Sequence, residues 1–309
     1  MDRLKKLVKK IYAATPESTK KVVSLFVRSL LRPSEKLKAV LTFDAPFRVR
    51  LSRDRSFQIW HTGKWIENDL FWHGIGKYEK VSMRLWMAAA EHAQVIFDIG
   101  ANTGVFSLAA QTINPGAKVI AFEPFPRFHD QLQKNVKLNK YEIICERAAI
   151  SDVKGVAEFY FPEEGAGNIY SASLSEAHYK DHNSSRSEKI LVDVINLKSY
   201  IETMDVKAID LIKIDAEGND VNVLRGMGDY LNKFAPDILI EVHSDEVGRE
   251  IQSLLNEKYY VYYNIDENRG ASREKNITKS KGLNYFVCKR ETAVKLKLRI
   301  SWNIDSADS

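Results

Sequence analysis

The chain has 309 residues, 44% hydrophobic and 28% charged, enough apolar side chains to bury the core of one or two domains. Its two cysteines, Cys145 and Cys288, fall in apolar strand-like runs. That argues for buried thiols in a reducing compartment and against a disulfide framework, a metal cluster or a cysteine nucleophile. The charge of +5 is local: residues 1–40 carry 11 Lys/Arg against 3 Asp/Glu, net +8, which leaves −3 on the other 269 residues; no nucleic-acid partner is expected.

Residues 1–40 read as a basic amphipathic helical extension. Leu4, Leu7, Val8 and Ile11 share one helical face. After Thr15-Pro16, a cap and first-turn pair, Val22, Val23, Phe26 and Leu30 form another. Two readings stay open: peripheral contact with an anionic membrane surface through residues 1–40, or an apolar side packed on the main domain. Lysines interrupt MDRLKKLVKK and no run of 18 apolar residues occurs, so neither a signal peptide nor a membrane span is expected. The expected location is cytoplasmic, with the inner membrane surface as the peripheral option.

Residues 41–80 read as a hairpin and linker, because FRVRLSRDRSFQIW (47–60) alternates and turns at Arg53-Asp54. From residue 95 the rhythm changes. Strand-like runs at 95–99, 118–123, 142–149, 210–216, 238–243, 259–265 and 283–289 alternate with helical patterns at 104–113, 126–138, 197–204, 220–234 and 247–257. This predicts a Rossmann-like, doubly wound α/β domain over 81–290 with a mainly parallel seven-stranded sheet. An insertion at about 155–196 adds a strand pair around a Ser-rich loop, and 291–309 forms a C-terminal tail.

In such sheets ligands bind at the carboxyl ends of the strands. There VIFDIGANTG (95–104) stops an apolar run at Asp98 and turns through Gly100 and Gly104. Gly100 can take a positive φ and expose backbone amides, and Gly104 lets the next helix start close by. The spacing is G-x-x-x-G, not the dinucleotide G-x-G-x-x-G, and a carboxylate repels phosphate, so a zwitterionic or cationic ligand fits better than a pyrophosphate. KVIAFEP (118–124) ends its strand in Glu123, placed to accept ribose hydroxyls. Asp152, in AAISD, either meets an adenine amino group or forms a turn before Gly155.

Further on, IDLIKIDAEGND (209–220) sets Lys213, Asp215 and Glu217 on one side of a strand, and ILIEVH (238–243) does the same for Glu241 and His243. Acids and a histidine at neighbouring strand ends point to catalysis, with His243 as general base and Asp215 or Glu217 orienting it. The same groups could instead hold a divalent metal such as Mg²⁺; spacing does not decide.

Taken together, these elements resemble the FkbM family of S-adenosylmethionine-dependent methyltransferases over about residues 70–290. The resemblance rests on the D-x-G-A-N-x-G turn at Asp98 to Gly104, Glu123-Pro124, K-I-D-x-E-G at Lys213 to Gly218, and the Tyr78-Glu79 element in GIGKYEK. It implies a class I methyltransferase fold that transfers the sulfonium methyl to a hydroxyl of a sugar, glycan or natural product. It also implies cofactor contacts from Glu79, Asp98, Gly100, Asn102, Gly104, Glu123, Pro124, Asp152 and Asp215. A nicotinamide-dependent dehydrogenase and a non-catalytic cofactor-binding protein are the competing classes.

Overall fold

The computed structural model describes residues 10, 12–30, 33–63, 65–162, 172–176, 179–180 and 187–298, together with the backbone of 301–303. Leu4, Leu7, Val8, Ile11 and most of the Ser-rich loop lie outside the described residues. The chain divides into two compact units, residues 1–78 and 79–309.

In the first unit, helices α1 (Glu17–Leu30), α2 (Glu35–Lys38) and α3 (Trp65–His73) accompany a hairpin of β1 (Ala45–Arg50) and β2 (Ser56–His61), paired from Ala45↔His61 to Arg50↔Ser56. Alternation decides its faces: Phe47, Val49, Phe57 and Ile59 are buried, whereas Arg48, Arg50 and Gln58 face out. The residues read as an extension are tied by hydroxyls to the segment just before the hairpin. Tyr12 Oη donates to the Thr42 carbonyl at 2.9 Å, and the fully buried Ser24 Oγ lies 2.7 Å from Tyr12 Oη and 3.3 Å from the Leu41 carbonyl. Consequently α1 packs by its Ser24 side. Of the apolar face read from sequence, Val22, Phe26 and Leu30 remain 62–65% exposed, so that face is not packed into the unit's own core.

The second unit begins with α4 (Lys80–Ala90) and continues through β3 (Val95–Ile99), α5 (Val105–Ile113), β4 (Lys118–Phe122), α6 (Pro126–Asn139) and β5 (Ile144–Glu146). After β6 (Ala149–Ile150), β7 (Gly155–Pro162) and β8 (Ser187–Ile195) come α7 (Leu197–Thr203), β9 (Leu211–Ile214), α8 (Asp220–Gly226), α9 (Tyr230–Phe234) and β10 (Asp237–Glu241). The remainder is α10 (Asp245–Leu254), β11 (Tyr260–Asp266), β12 (Gly270–Glu274), β13 (Asn284–Lys289), α11 (Arg290–Lys295) and β14 (Ser301–Asn303).

Among the described residues the main sheet runs β14-β12-β11-β13-β10-β9-β3-β4-β5. Its five strands from β10 to β5 are parallel, and β13 returns antiparallel. The predicted doubly wound α/β core is present, with β12 and β14 added at the edge beyond the seven expected strands. GASRE (270–274) escaped detection because three of its five residues are polar and exposed. The run 142–149 is not one strand: β5 stays in the main sheet, while β6 pairs with β8 (Ala149↔Val194) in a separate sheet ordered β6-β8-β7. Likewise the single helix expected at 220–234 is two, because the chain turns at Met227 and Gly228 through bonds three residues back, Met227 N–H to Leu224 and Gly228 N–H to Arg225. Among the described residues, no helix is long and apolar enough to cross a membrane.

Candidate active site

The order reverses at β3, flanked by β4 and β9, and the glycine turn leaves from there. Gly100 and Ala101 N–H both donate to the Phe122 carbonyl at 3.0 Å, which pins the turn to the end of β4. Gly100 has φ +73°, and a Cβ there would stand 1.9 Å from the Asp215 carbonyl oxygen; the bare Cα serves the approach of the β9 exit. At Gly104 (φ +91°), which caps the start of α5, a Cβ would stand 2.4 Å from the end of the Leu132 side chain on α6.

Asp98 is fully buried, deeper than the ligand-facing position the sequence implied. Its Oδ2 accepts from Ser107 Oγ at 2.5 Å. Burial raises its pKa, against the pull of Lys213. Oδ1 has no hydrogen-bond partner among the described residues, and neither has the buried Thr103 Oγ1. Buried polar atoms left open are costly, and at the mouth of a glycine turn they fit a ligand that completes their bonding.

Glu123, 5% exposed, bridges the turn to the next loop: Asn102 N–H donates to Oε2 at 2.8 Å and Phe125 N–H to Oε1 at 2.9 Å. Burial pushes its pKa up to about 7 despite these bonds. Each oxygen keeps acceptor capacity beyond these bonds, so the carboxylate that shapes the loop could also take a hydroxyl donor. Pro124 fixes the backbone between these two contacts. Glu123→Ala is expected to weaken S-adenosylmethionine binding by about 1–3 kcal/mol, and Glu123→Gln by less, because the amide keeps one acceptor. Calorimetric titration of both variants checks this; equal losses would remove Glu123 from the ribose.

β9 ends at Ile214, and the chain then turns back on itself. Lys213 Nζ donates to Asp215 Oδ2 at 2.8 Å as the sequence spacing required, but Glu217 sits in a left-handed turn (φ 49°) beyond the strand. Burial pushes the Glu217 carboxyl up to about 9, helped by the like charges of Asp215, Glu241 and Asp220. Asp220, unremarked in the sequence, closes this turn by accepting from Ala216 N–H at 2.9 Å and Gly218 N–H at 3.2 Å; burial pushes it up to about 6. Glu79 begins α4 at φ 39°. Part of it reaches solvent, yet burial pushes its carboxyl up to about 8; Lys213 pulls it down, while Asp215, Glu241 and Glu267 add to the rise. Lys213 answers all of them: burial disfavours its charge, but Asp215, Asp98 and Glu79 together raise its pKa.

His243 stands against Glu241, with Asp220 and Glu217 also near enough to favour its charged form. Its Nε2 lies 3.1 Å from Glu241 Oε2, and Glu241 raises the imidazole pKa above the usual histidine value against the effect of burial. The two residues point the same way because they are two apart at the end of β10. Glu267, also missed, clamps the start of α4 beside Glu79 by accepting from Val81 N–H (2.6 Å) and from Ser82. No local signal marks it, since these contacts span 185 residues or more. Asp152 stands on an exposed bend after β6, where Ser151 Oγ donates to it at 3.2 Å. Among the described residues no three His, Cys, Asp or Glu side chains are grouped to hold a metal ion.

A carboxyl-rich, mostly buried cluster beside a glycine turn suits a cationic ligand, whose charge favours the ionised carboxylates. The family description "Methyltransferase FkbM domain" matches residues 98–262, more than half the chain. Hexuronic acid methyltransferase AglP of Haloferax volcanii is 27% identical over 179 residues, covering 58% of this chain and 68% of that protein. The 31-O-demethyl-FK506 methyltransferase FkbM of Streptomyces tacrolimicus is 29% identical, covering 52% of this chain and 70% of its own length. A crystal structure of methyltransferase FkbM from Methylobacillus flagellatus KT overlays 63% of this chain and 43% of its own, at 14% identity and TM-score 0.40. With the matched region opening at Asp98 and taking in Glu123, Asp215 and His243, the chain belongs to the methyltransferase FkbM domain family and is a methyltransferase.

Proposed function

We propose that the chain transfers the methyl group of S-adenosylmethionine to a hydroxyl of a sugar, glycan or natural product, with His243 as general base. The observation that carries this reading is the convergence of Asp215, Glu217, Glu241 and His243 just past the ends of β9 and β10, with His243 3.1 Å from Glu241 and with Glu79, at the start of α4, within electrostatic reach of Asp215 and Glu241. The hexuronic acid and FK506 relatives support the hydroxyl-bearing acceptor. Bound S-adenosylmethionine supplies a methyl already activated on a cationic sulfur. Glu123 accepts the ribose hydroxyls through its remaining lone pairs, and Asp98 with the carboxylates around Lys213 favours the cofactor's positive charge.

Holding the acceptor oxygen in line and close supplies on the order of several kcal/mol of the barrier. Glu241 opposite Nε2 favours the tautomer protonated there, which leaves Nδ1 to take the hydroxyl proton. Adenosylhomocysteine is expected to raise the melting temperature by linkage, and tritiated methyl from S-adenosylmethionine to enter a fraction of cell extract. Stabilisation by NAD(H) instead would turn the site into that of a dehydrogenase. Cofactor binding without label transfer into any fraction would leave a binding protein.

A further inference from the structure

The first unit carries a feature that methyl transfer does not use. Between α1 and the hairpin lies a groove of about 600 Å³ whose polar lining is Lys21, Arg28, Arg48, Arg50 and Gln58, with no carboxylate among its lining residues. No salt bridge among the described residues engages Lys21, Arg48 or Arg50. The Arg28 Nη1 donates to the Phe71 carbonyl at 2.5 Å and its guanidinium lies 4.9 Å from the Phe71 ring centroid, so it is held in place by neutral groups. Cations gathered this way repel one another and favour an anion among them. Beside the groove, α1 turns Val22, Phe26 and Leu30 to solvent at 62%, 62% and 65% exposure, and Leu25, 37% exposed, belongs to both the row and the groove wall.

We propose that this face docks on an anionic phospholipid bilayer: Val22, Phe26 and Leu30 enter the headgroup and acyl boundary, while Lys21, Arg28, Arg48 and Arg50 hold a lipid phosphate in the groove. Charge complementarity selects this occupant. A free phosphate would satisfy the groove but leave the apolar row in water. A second copy would set the same unneutralised cations against each other. Only an anionic lipid offers negative charge and an apolar layer side by side, the pairing that interfacial amphipathic helices exploit. The proposal is independent of the methyl acceptor, since every residue in it lies within residues 1–78.

The test is co-sedimentation of the full chain with vesicles of phosphatidylcholine alone or mixed with phosphatidylserine. Wild type is expected to bind the mixed vesicles at least tenfold better than the neutral ones, with the difference shrinking at high salt. Two double variants, Phe26→Ser with Leu30→Ser and Arg48→Glu with Arg50→Glu, change only exposed side chains. Each should lower binding at least tenfold while leaving the melting temperature within a degree or two. Three results would overturn the proposal: equal binding to neutral vesicles or none to either; vesicle binding that both variants retain; or a melting temperature raised by inorganic phosphate without vesicle binding. Concentration-dependent self-association abolished by the Phe26 and Leu30 changes would assign the face to a second copy and overturn it as well.

Discussion

His243→Ala is expected to lower methyl transfer by about 10²–10⁴-fold, the usual contribution of a positioned acid or base, while cofactor affinity stays near wild type. The histidine stands 3.1 Å from Glu241 at the end of β10, with Glu217 and Asp220 near enough to stabilise its charged form. As a base it works only when neutral, so activity should rise with pH along a limb placed above the ordinary histidine value. Glu241→Gln removes the largest cause of that elevation and should move the limb down. A merely structural histidine would leave the limb where it was. The sign for stability is opposite: a histidine whose pKa is raised by folding stabilises the fold at acid pH and loses that contribution as pH rises through the folded value. Melting temperatures above the limb should then match wild type, whereas at acid pH the alanine variant should be the less stable. Turnover that resists chelators fits the base; turnover abolished by EDTA and restored by Mg²⁺ would make His243 a ligand. If His243→Ala turns over normally in both conditions, the proton leaves through water or Glu79.

Gly100→Ala is expected to disable the protein more broadly. The new Cβ would lie 1.9 Å from the Asp215 carbonyl oxygen and 2.9 Å from its carbonyl carbon, both backbone atoms that no side-chain rotation can move, and φ +73° disfavours any L side chain. Overpacking and backbone strain together should cost about 2–5 kcal/mol of folding stability. Whatever folds should bind cofactor poorly, because the amides of Gly100 and Ala101 and the carboxylate of Asp215 are displaced together. Gly76→Ala, where nothing stands within 4 Å of the added carbon, is the control and should unfold like wild type. Denaturant titration of the pair, with calorimetry of the folded fraction, measures both effects. A Gly100→Ala protein with wild-type stability and affinity would show that the turn tolerates displacement and has no part in the site.

The α/β core is legible in the residues alone, because strands covered on both faces read as apolar runs and helices as spaced stripes. Hence β3, β4, β9 and β10 lie where VIFDI, KVIAF, LIKI and DILIE stand. Also legible are the meeting of Lys213 with Asp215 and the shared direction of Glu241 and His243, since strand period is a local property. What depends on distant residues emerged with the folded chain. Glu217 left the strand line because Asp220 closes a turn directly after Ile214, and His243 came to stand 3.1 Å from Glu241. Asp98 sank beneath the turn against Ser107, and Glu123 became a latch for Asn102 as well as an acceptor. The run at 142–149 broke because β8, some forty residues on, claimed its second half. On α1 the helical period revealed an apolar stripe but not its environment. Hydroxyl contacts among Tyr12, Ser24 and Leu41 turned the polar side inward and left Val22, Phe26 and Leu30 outside. Periodicity fixes the direction of a side chain relative to its own element; what it meets there is set by pairing and burial across the whole chain.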